Sequence, residues 1–266
     1  MALALYHDVF PSTRPDGNAP DMVLLHGWGM SSLVWDEIMP ELLEYYRVTV
    51  IDLPGLGRSP VPAGDYDLDY LCRHVLAVAP KNAVWMGWSL GALVAMNIAS
   101  EHPERVRALI SVAGTPSFVQ REGWPYGLPV NVLEQFITLF DEDGDGTLVR
   151  FLALQAKGSK SQREDIRKLK EMVYFHGMPA PQALRSGLLI LHSVDLREAI
   201  QDIACPALFV FGAKDHIVPA DTVEGIKACM PDASIMRIEE VSHIPFISNS
   251  ESFLLSIQGF LSQCRS

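Results

Sequence analysis

One short stretch restricts the possible fold of this chain more than any other. Residues 83–96 read Ala-Val-Trp-Met-Gly-Trp-Ser-Leu-Gly-Ala-Leu-Val-Ala-Met: an apolar run, then Gly87-Trp88-Ser89-Leu90-Gly91, then small helix-forming residues. A strand that passes through a glycine-flanked serine straight into a helix must turn so tightly that the serine backbone is strained and its hydroxyl is lifted above the sheet edge. Gly87 and Gly91 are expected where any side chain would strike the neighbouring strand or helix. The helix that follows directs its positive N-terminal end at the serine, where negative charge would develop during attack.

The surrounding pattern repeats strand and helix. Apolar runs without polar alternation, the signature of buried parallel strands, occur at 22–25, 46–53, 83–88, 108–113 and 207–211, with a further strand at 234–238 and a short one at 3–10. Helical stretches are expected at 32–45, 68–78, 90–101, 222–230 and 251–263. Such alternation implies an α/β fold, a mostly parallel sheet with helices on both faces. The alternation lapses between 116 and 196, where the chain turns helical and irregular. This division gives a core of 1–115 and 197–266 and an inserted helical lid of 116–196, placed over the C-terminal strand ends where open α/β sheets bind ligands. A chain of 266 residues, 48% hydrophobic, suits one such domain better than two equal ones.

What the composition excludes is also informative. A net charge of −11 argues against nucleic acid as a partner. No apolar run is long enough to cross a bilayer, and the first residues lack the basic flank of a signal peptide. Cys72, Cys205, Cys229 and Cys264 have neither metal-ligand nor disulfide spacing and read as free thiols of a cytoplasmic protein. The run Asp141-Glu142-Asp143-Gly144-Asp145-Gly146 imitates a calcium loop, but its twelfth place is Leu152 where a bidentate glutamate is needed. Pro54-Gly55-Leu56-Gly57 lacks the third glycine of a dinucleotide site. No metal or organic cofactor is expected.

A serine hydroxyl is a weak nucleophile that needs a base, and the base needs an orienting group. With this elbow the partners follow in the order serine, acid, histidine. Asp215 stands just beyond the buried run 207–211, and His243 lies in the loop after the last strand. Catalytic Ser89, Asp215 and His243 are therefore expected. His216, Asp195 and Asp202 are the other candidates in range. His26, His176 and His192 read as structural or lid residues. For an oxyanion hole, one donor is the backbone N–H of Leu90, directly after the nucleophile. The other is expected from the loop His26-Gly27-Trp28-Gly29, through Trp28 N–H.

These residues resemble the α/β-hydrolase superfamily, and within it the pimeloyl-acyl-carrier-protein methyl ester esterases of biotin synthesis. The similarity is carried by Leu24-Leu25-His26-Gly27-Trp28-Gly29, Asp52-Leu53-Pro54-Gly55-Leu56-Gly57-Arg58-Ser59, Gly87-Trp88-Ser89-Leu90-Gly91, Arg150-Phe151-Leu152-Ala153-Leu154-Gln155, Val194-Asp195-Leu196-Arg197 and Ile244-Pro245-Phe246-Ile247-Ser248. The run 150–155 discriminates best, because lids vary most between families. The resemblance implies hydrolysis of a methyl ester on a seven-carbon acyl group borne by acyl carrier protein, with release of methanol. It implies that Trp28, Ser89, Leu90 and His243 contact the ester, and that Phe151, Leu152, Ala153, Leu154 and Gln155 line the acyl channel. It further implies carrier contacts through Arg150, Arg163 and Arg167, while a fourth such place is Gly146 in this chain.

The charge pattern suits a solvated helix face and, beside a lid that resembles an acyl-channel wall, also an acidic partner. From 150 to 170 seven basic residues face two acidic ones, a local +5 in a chain of −11, and Lys160, Arg163, Arg167 and Lys170 recur at helical spacing. The expected protein is a monomeric serine carboxylesterase acting on the carrier-bound ester and on small-molecule esters. A broad small-ester carboxylesterase without a carrier partner and a ligand receptor on the same fold are the alternative readings.

Overall fold

The computed structural model describes residues 4–264 apart from 16 and 62. Its centre is a seven-stranded sheet in the order β1-β3-β2-β4-β5-β6-β7. The strands are β1 (His7–Phe10), β2 (Asp21–Leu25), β3 (Arg47–Ile51), β4 (Ala83–Trp88), β5 (Val106–Val112), β6 (Ala207–Gly212) and β7 (Ser234–Ile238). Only β1 runs antiparallel, against β3; the other pairings are parallel. The expected first strand is shorter than 3–10, and Leu3 lies outside the described residues.

The helices are α1 (Met39–Leu43), α2 (Leu68–Val78), α3 (Leu90–Glu101), α4 (Val130–Glu142), α5 (Gly144–Ala156), α6 (Gln162–Phe175), α7 (Pro181–Ser193), α8 (Thr222–Cys229), α9 (Pro245–Ser248) and α10 (Ser250–Gln263). Every residue of β4 and β6 is buried. This burial explains their unbroken apolar sequence, since helices cover both faces of a parallel sheet. Residues Leu90 to Ala99 of α3 are buried too, so this helix shows no polar stripe.

One expected helix is corrected. In place of a continuous helix over 32–45 there is a 3-10 turn at Ser32–Trp35 and the short α1. Pro40 has no N–H to donate back to Asp36, so a helix cannot run through it and restarts there instead. Trp35, Ile38 and Leu42 are nevertheless buried, as their spacing suggested.

Between β5 and β6 the chain leaves the sheet and forms α4 to α7, with α4 against α5 and α7, and α5 against α6. The two ends of this excursion meet, because Leu196 N–H donates to the Pro116 carbonyl at 2.9 Å. Arg121 reinforces the neck, donating to the carbonyls of His192 and Val194, and Arg197 donates to that of Glu122. Helix α5 starts at Asp143, whose carboxylate accepts from Gly146 N–H at 2.9 Å. The acidic run 141–146 is thus a helix-to-helix junction closed by an N-cap.

Candidate active site

The site is built where β2, β4, β6 and β7 end. At the end of β4 the backbone of Ser89 takes φ 54° and ψ −114°, a conformation costing about 1–3 kcal/mol for a non-glycine residue. A Cβ on Gly87 would overlap the Gly91 carbonyl, and one on Gly91 would overlap the Leu25 carbonyl. Both glycines therefore let the elbow close against its own helix and against β2.

Ser89 Oγ lies 2.9 Å from His243 Nε2, and His243 Nδ1 lies 2.7 Å from Asp215 Oδ2. The carboxylate can only accept, so Nδ1 carries the proton and Nε2 is left to accept from the serine. The second oxygen of Asp215 accepts the backbone N–H groups of Ile217 and Val218, at 2.8 and 3.0 Å. His243 is also held through its backbone. Its N–H donates to the Gln155 carbonyl at 3.0 Å, and its carbonyl accepts Trp88 Nε1–H at 2.8 Å. Ser89, Asp215 and His243 are all buried, His243 completely.

The backbone N–H groups of Trp28 and Leu90 donate to no group among the described residues. The indole of Trp28 is pinned beneath the helical excursion. Its Nε1–H donates to the Leu184 carbonyl of α7 at 2.7 Å, and its ring meets Phe151 of α5 at 4.7 Å. Behind it, buried His26 joins two loops: Nδ1–H donates to the Gly27 carbonyl, and Nε2 accepts from Leu53 N–H. Burial lowers the His26 pKa, against the opposing influence of Asp52 and of its bond to Gly27. Asp52 accepts from Ser32 N–H at 2.7 Å and Arg58 N–H at 2.9 Å. Its burial acts to raise its pKa, but His26 and the donors on Arg58 and Ser32 outweigh that and hold it below the usual carboxylate range.

The other residues expected at the site are more dispersed. Phe151, Leu152 and Gln155 are buried, whereas Ala153 and Leu154 are half-buried. Phe151 touches Trp28, and Gln155 reaches His243 through its carbonyl, while its side-chain Oε1 is buried without a partner among the described residues. Arg150, Arg163 and Arg167 are exposed, well away from the serine in sequence and on the outer side of α5 and α6. Arg167 pairs with Glu171 at 2.8 Å, and Arg150 comes within 3.9 Å of Asp143. Lys168 reaches Glu37 at 2.6 Å. At Gly146 a Cβ would overlap the Asp143 carboxylate that caps α5.

The alternatives in range are occupied elsewhere or face solvent. Asp195 is engaged by Arg197 at 2.7 Å, and His216 and Asp202 are exposed. The thiols make poor nucleophiles, since burial pushes Cys72 up to about 12 and Cys205 up to about 11. No group of three His, Cys, Asp or Glu side chains suited to a metal occurs among the described residues. Among the described residues, no helix is long and apolar enough to cross a membrane.

Comparison with known proteins follows the same line. The family model described as the alpha/beta hydrolase fold matches residues 20–250. A "Pimeloyl-[acyl-carrier protein] methyl ester esterase" of Aliivibrio fischeri is 41% identical over 250 residues, covering 94% of this chain and 96% of that protein. A protein of the same name from Aeromonas hydrophila is 43% identical over 249 residues, covering 92% and 96%. Among solved structures, an esterase from Exiguobacterium antarcticum superposes with a TM-score of 0.85 at 22% identity, over 100% of this chain and 99% of that one. At that identity the last likeness concerns the fold alone.

Proposed function

The chain belongs to the α/β-hydrolase family and, within it, to the pimeloyl-[acyl-carrier protein] methyl ester esterases; from that premise we propose that Ser89, His243 and Asp215 hydrolyse the methyl ester of carrier-bound pimeloyl chains. The observation that carries this reading is the unbroken line of hydrogen bonds from Ser89 Oγ through the imidazole to Asp215, beside two backbone donors without acceptors.

The reaction proceeds in two halves. Ser89 Oγ attacks the ester carbonyl while His243 Nε2 takes its proton. The tetrahedral oxyanion is stabilised by the N–H groups of Leu90 and Trp28, and Asp215 stabilises the imidazolium. When the carbon–oxygen bond to the methoxy group breaks, His243 returns the proton and methanol leaves. The pimeloyl chain, still bound to its carrier at the far end, is then an ester of Ser89. Water, deprotonated by His243, attacks that ester and frees the carboxylate and the serine. No step requires a metal or an organic cofactor.

Residues 116–196 serve as the lid whose movement admits the substrate. Phe151, Leu152, Ala153, Leu154 and Gln155 form the side of the lid nearest the acyl chain. Arg150, Arg163 and Arg167 face the acidic carrier, in support of which a local +5 stands out on a chain of −11. The enzyme works as a monomer in the cytoplasm, where its four thiols stay reduced. Labelling tests the nucleophile directly. A fluorophosphonate probe should modify Ser89 with one-to-one stoichiometry and stop methanol release. Inhibition without a label on Ser89 contradicts the assignment.

A further inference from the structure

Beyond the triad, the buried carboxylate of Asp165 has been given no part so far. Asp165 on α6 is 1% exposed, and no lysine, arginine or histidine reaches it within ion-pair distance among the described residues. A carboxylate buried without a cation needs strong compensation from hydrogen-bond donors. Here a single oxygen, Oδ2, accepts three hydroxyls: Ser159 at 2.7 Å, Ser161 at 3.0 Å and Ser248 at 2.7 Å.

The places of those serines give the cluster a meaning. Ser248 ends α9, the single turn that leads away from His243. Ser159 and Ser161 lie in the turn between α5 and α6, just after Gln155, whose carbonyl receives the His243 N–H. The backbone from 155 to 165, the Asp165–Ser248 bond, the backbone from 248 to 243 and the His243–Gln155 bond thus form one closed ring. A backbone bond at 3.0 Å holds the imidazole in place only while its carbonyl keeps register, and the ring maintains that register.

We infer that Asp165 is a positioning residue for the base, fixing the Gln155 carbonyl against the His243 loop through Ser159, Ser161 and Ser248. It touches no reacting atom. The inference rests on the reading of His243 as the base of a serine esterase, so its test includes a control for that reading. Misplacing a catalytic group by a fraction of an ångström to 1 Å costs on the order of tenfold to a hundredfold in rate.

The experiment measures kcat and KM for p-nitrophenyl acetate, together with the low-field proton signal of the His243–Asp215 bond. It compares Asp165→Ala, Asp165→Asn, Ser248→Ala and Ser89→Ala with the parent, well below each melting temperature. Asp165→Ala should lower kcat about tenfold or more with KM within about twofold, and should shift or broaden the low-field signal. Asp165→Asn keeps an acceptor oxygen for the hydroxyls and should recover most of the rate. Ser248→Ala cuts only the link to α9 and should lower kcat roughly threefold to tenfold, deciding the matter if Asp165→Ala does not fold. If folded Ser248→Ala and Asp165→Ala keep kcat within about twofold and an unchanged low-field signal, Asp165 is an anchor for stability alone and the inference fails. Persistent turnover by Ser89→Ala overturns the reading of Ser89 as nucleophile and His243 as its base, and the inference with it.

Discussion

Ser89 holds its strained backbone because the residues on either side leave the chain no alternative: Gly87 and Gly91 permit contacts that a Cβ would forbid. Replacing Ser89 with Ala should therefore leave the fold intact while lowering kcat by several orders of magnitude, as loss of a serine nucleophile does elsewhere. Steady-state assay beside circular dichroism checks both halves. Gly87→Ala should do the reverse damage, costing about 3 kcal/mol or more in stability because backbone rather than a mobile side chain stands in the way. Urea unfolding measures it. Acid should weaken the protein at a second place. Buried His26 has a lowered pKa, so its contribution is complete above its unfolded value of about 6.5 and is lost as the pH falls through its folded value. Asp52, also lowered, contributes fully above about pH 4 and loses that share as the pH falls through its own folded value. Melting temperature should thus fall on acidification from about pH 6.5, and less steeply in Asp52→Asn at the acid end. At this scale the meeting of Asp215 and His243 with Ser89 was legible, because each follows a strand end in the order an elbow serine requires. The contacts of Gln155 and Trp88 with His243 were not. They involve the histidine's backbone, and a backbone group leaves no residue-type signature. Asp165 was concealed in a charged run that reads as solvated surface.

Helix α6 presents different chemistry on its two faces. Asp165, Leu169 and Val173 face inward, and Arg163, Arg167 and Lys170 face solvent. Arg167 is paired with Glu171, but both side chains are about 60% exposed, and pairs of that kind contribute little and are readily exchanged for a partner's carboxylate. Arg163→Ala combined with Arg167→Ala should raise KM for the carrier-bound ester about tenfold while leaving a small free ester within about twofold. Added salt should weaken the parent on the carrier substrate in the same sense. Equal loss on both substrates would show that the helix face acts only through the fold. Helical spacing placed Lys160, Arg163, Arg167 and Lys170 on one face; the last three lie exposed on α6, while Lys160 precedes the helix, and the inward face went unread. Periodicity failed for 32–45, where apolar spacing looked helical and Pro40 still split the segment. Burial and hydrogen bonding are separate requirements, and the hydrophobic pattern reports only the first.

Across the whole molecule, the sheet brings together four strand ends that lie far apart in sequence, and the helical excursion closes over them through the Pro116–Leu196 neck. The alternation of strands and helices made the sheet legible, and its lapse marked the excursion. Neither could show how deeply the serine would be buried, since that depends on how α5 and α7 settle on Trp28. Under the proposed function, the buried site and the basic outer face of α6 on an acidic chain would let the enzyme select its substrate by the carrier as well as by the ester. The decisive measurement is methanol release from the pimeloyl methyl ester bound to acyl carrier protein, compared with the same ester free in solution at low salt. Both should turn over repeatedly, with kcat/KM at least about tenfold higher for the carrier-bound form. Equal kcat/KM for the two, or no methanol from the carrier-bound ester, would contradict that selection by the carrier.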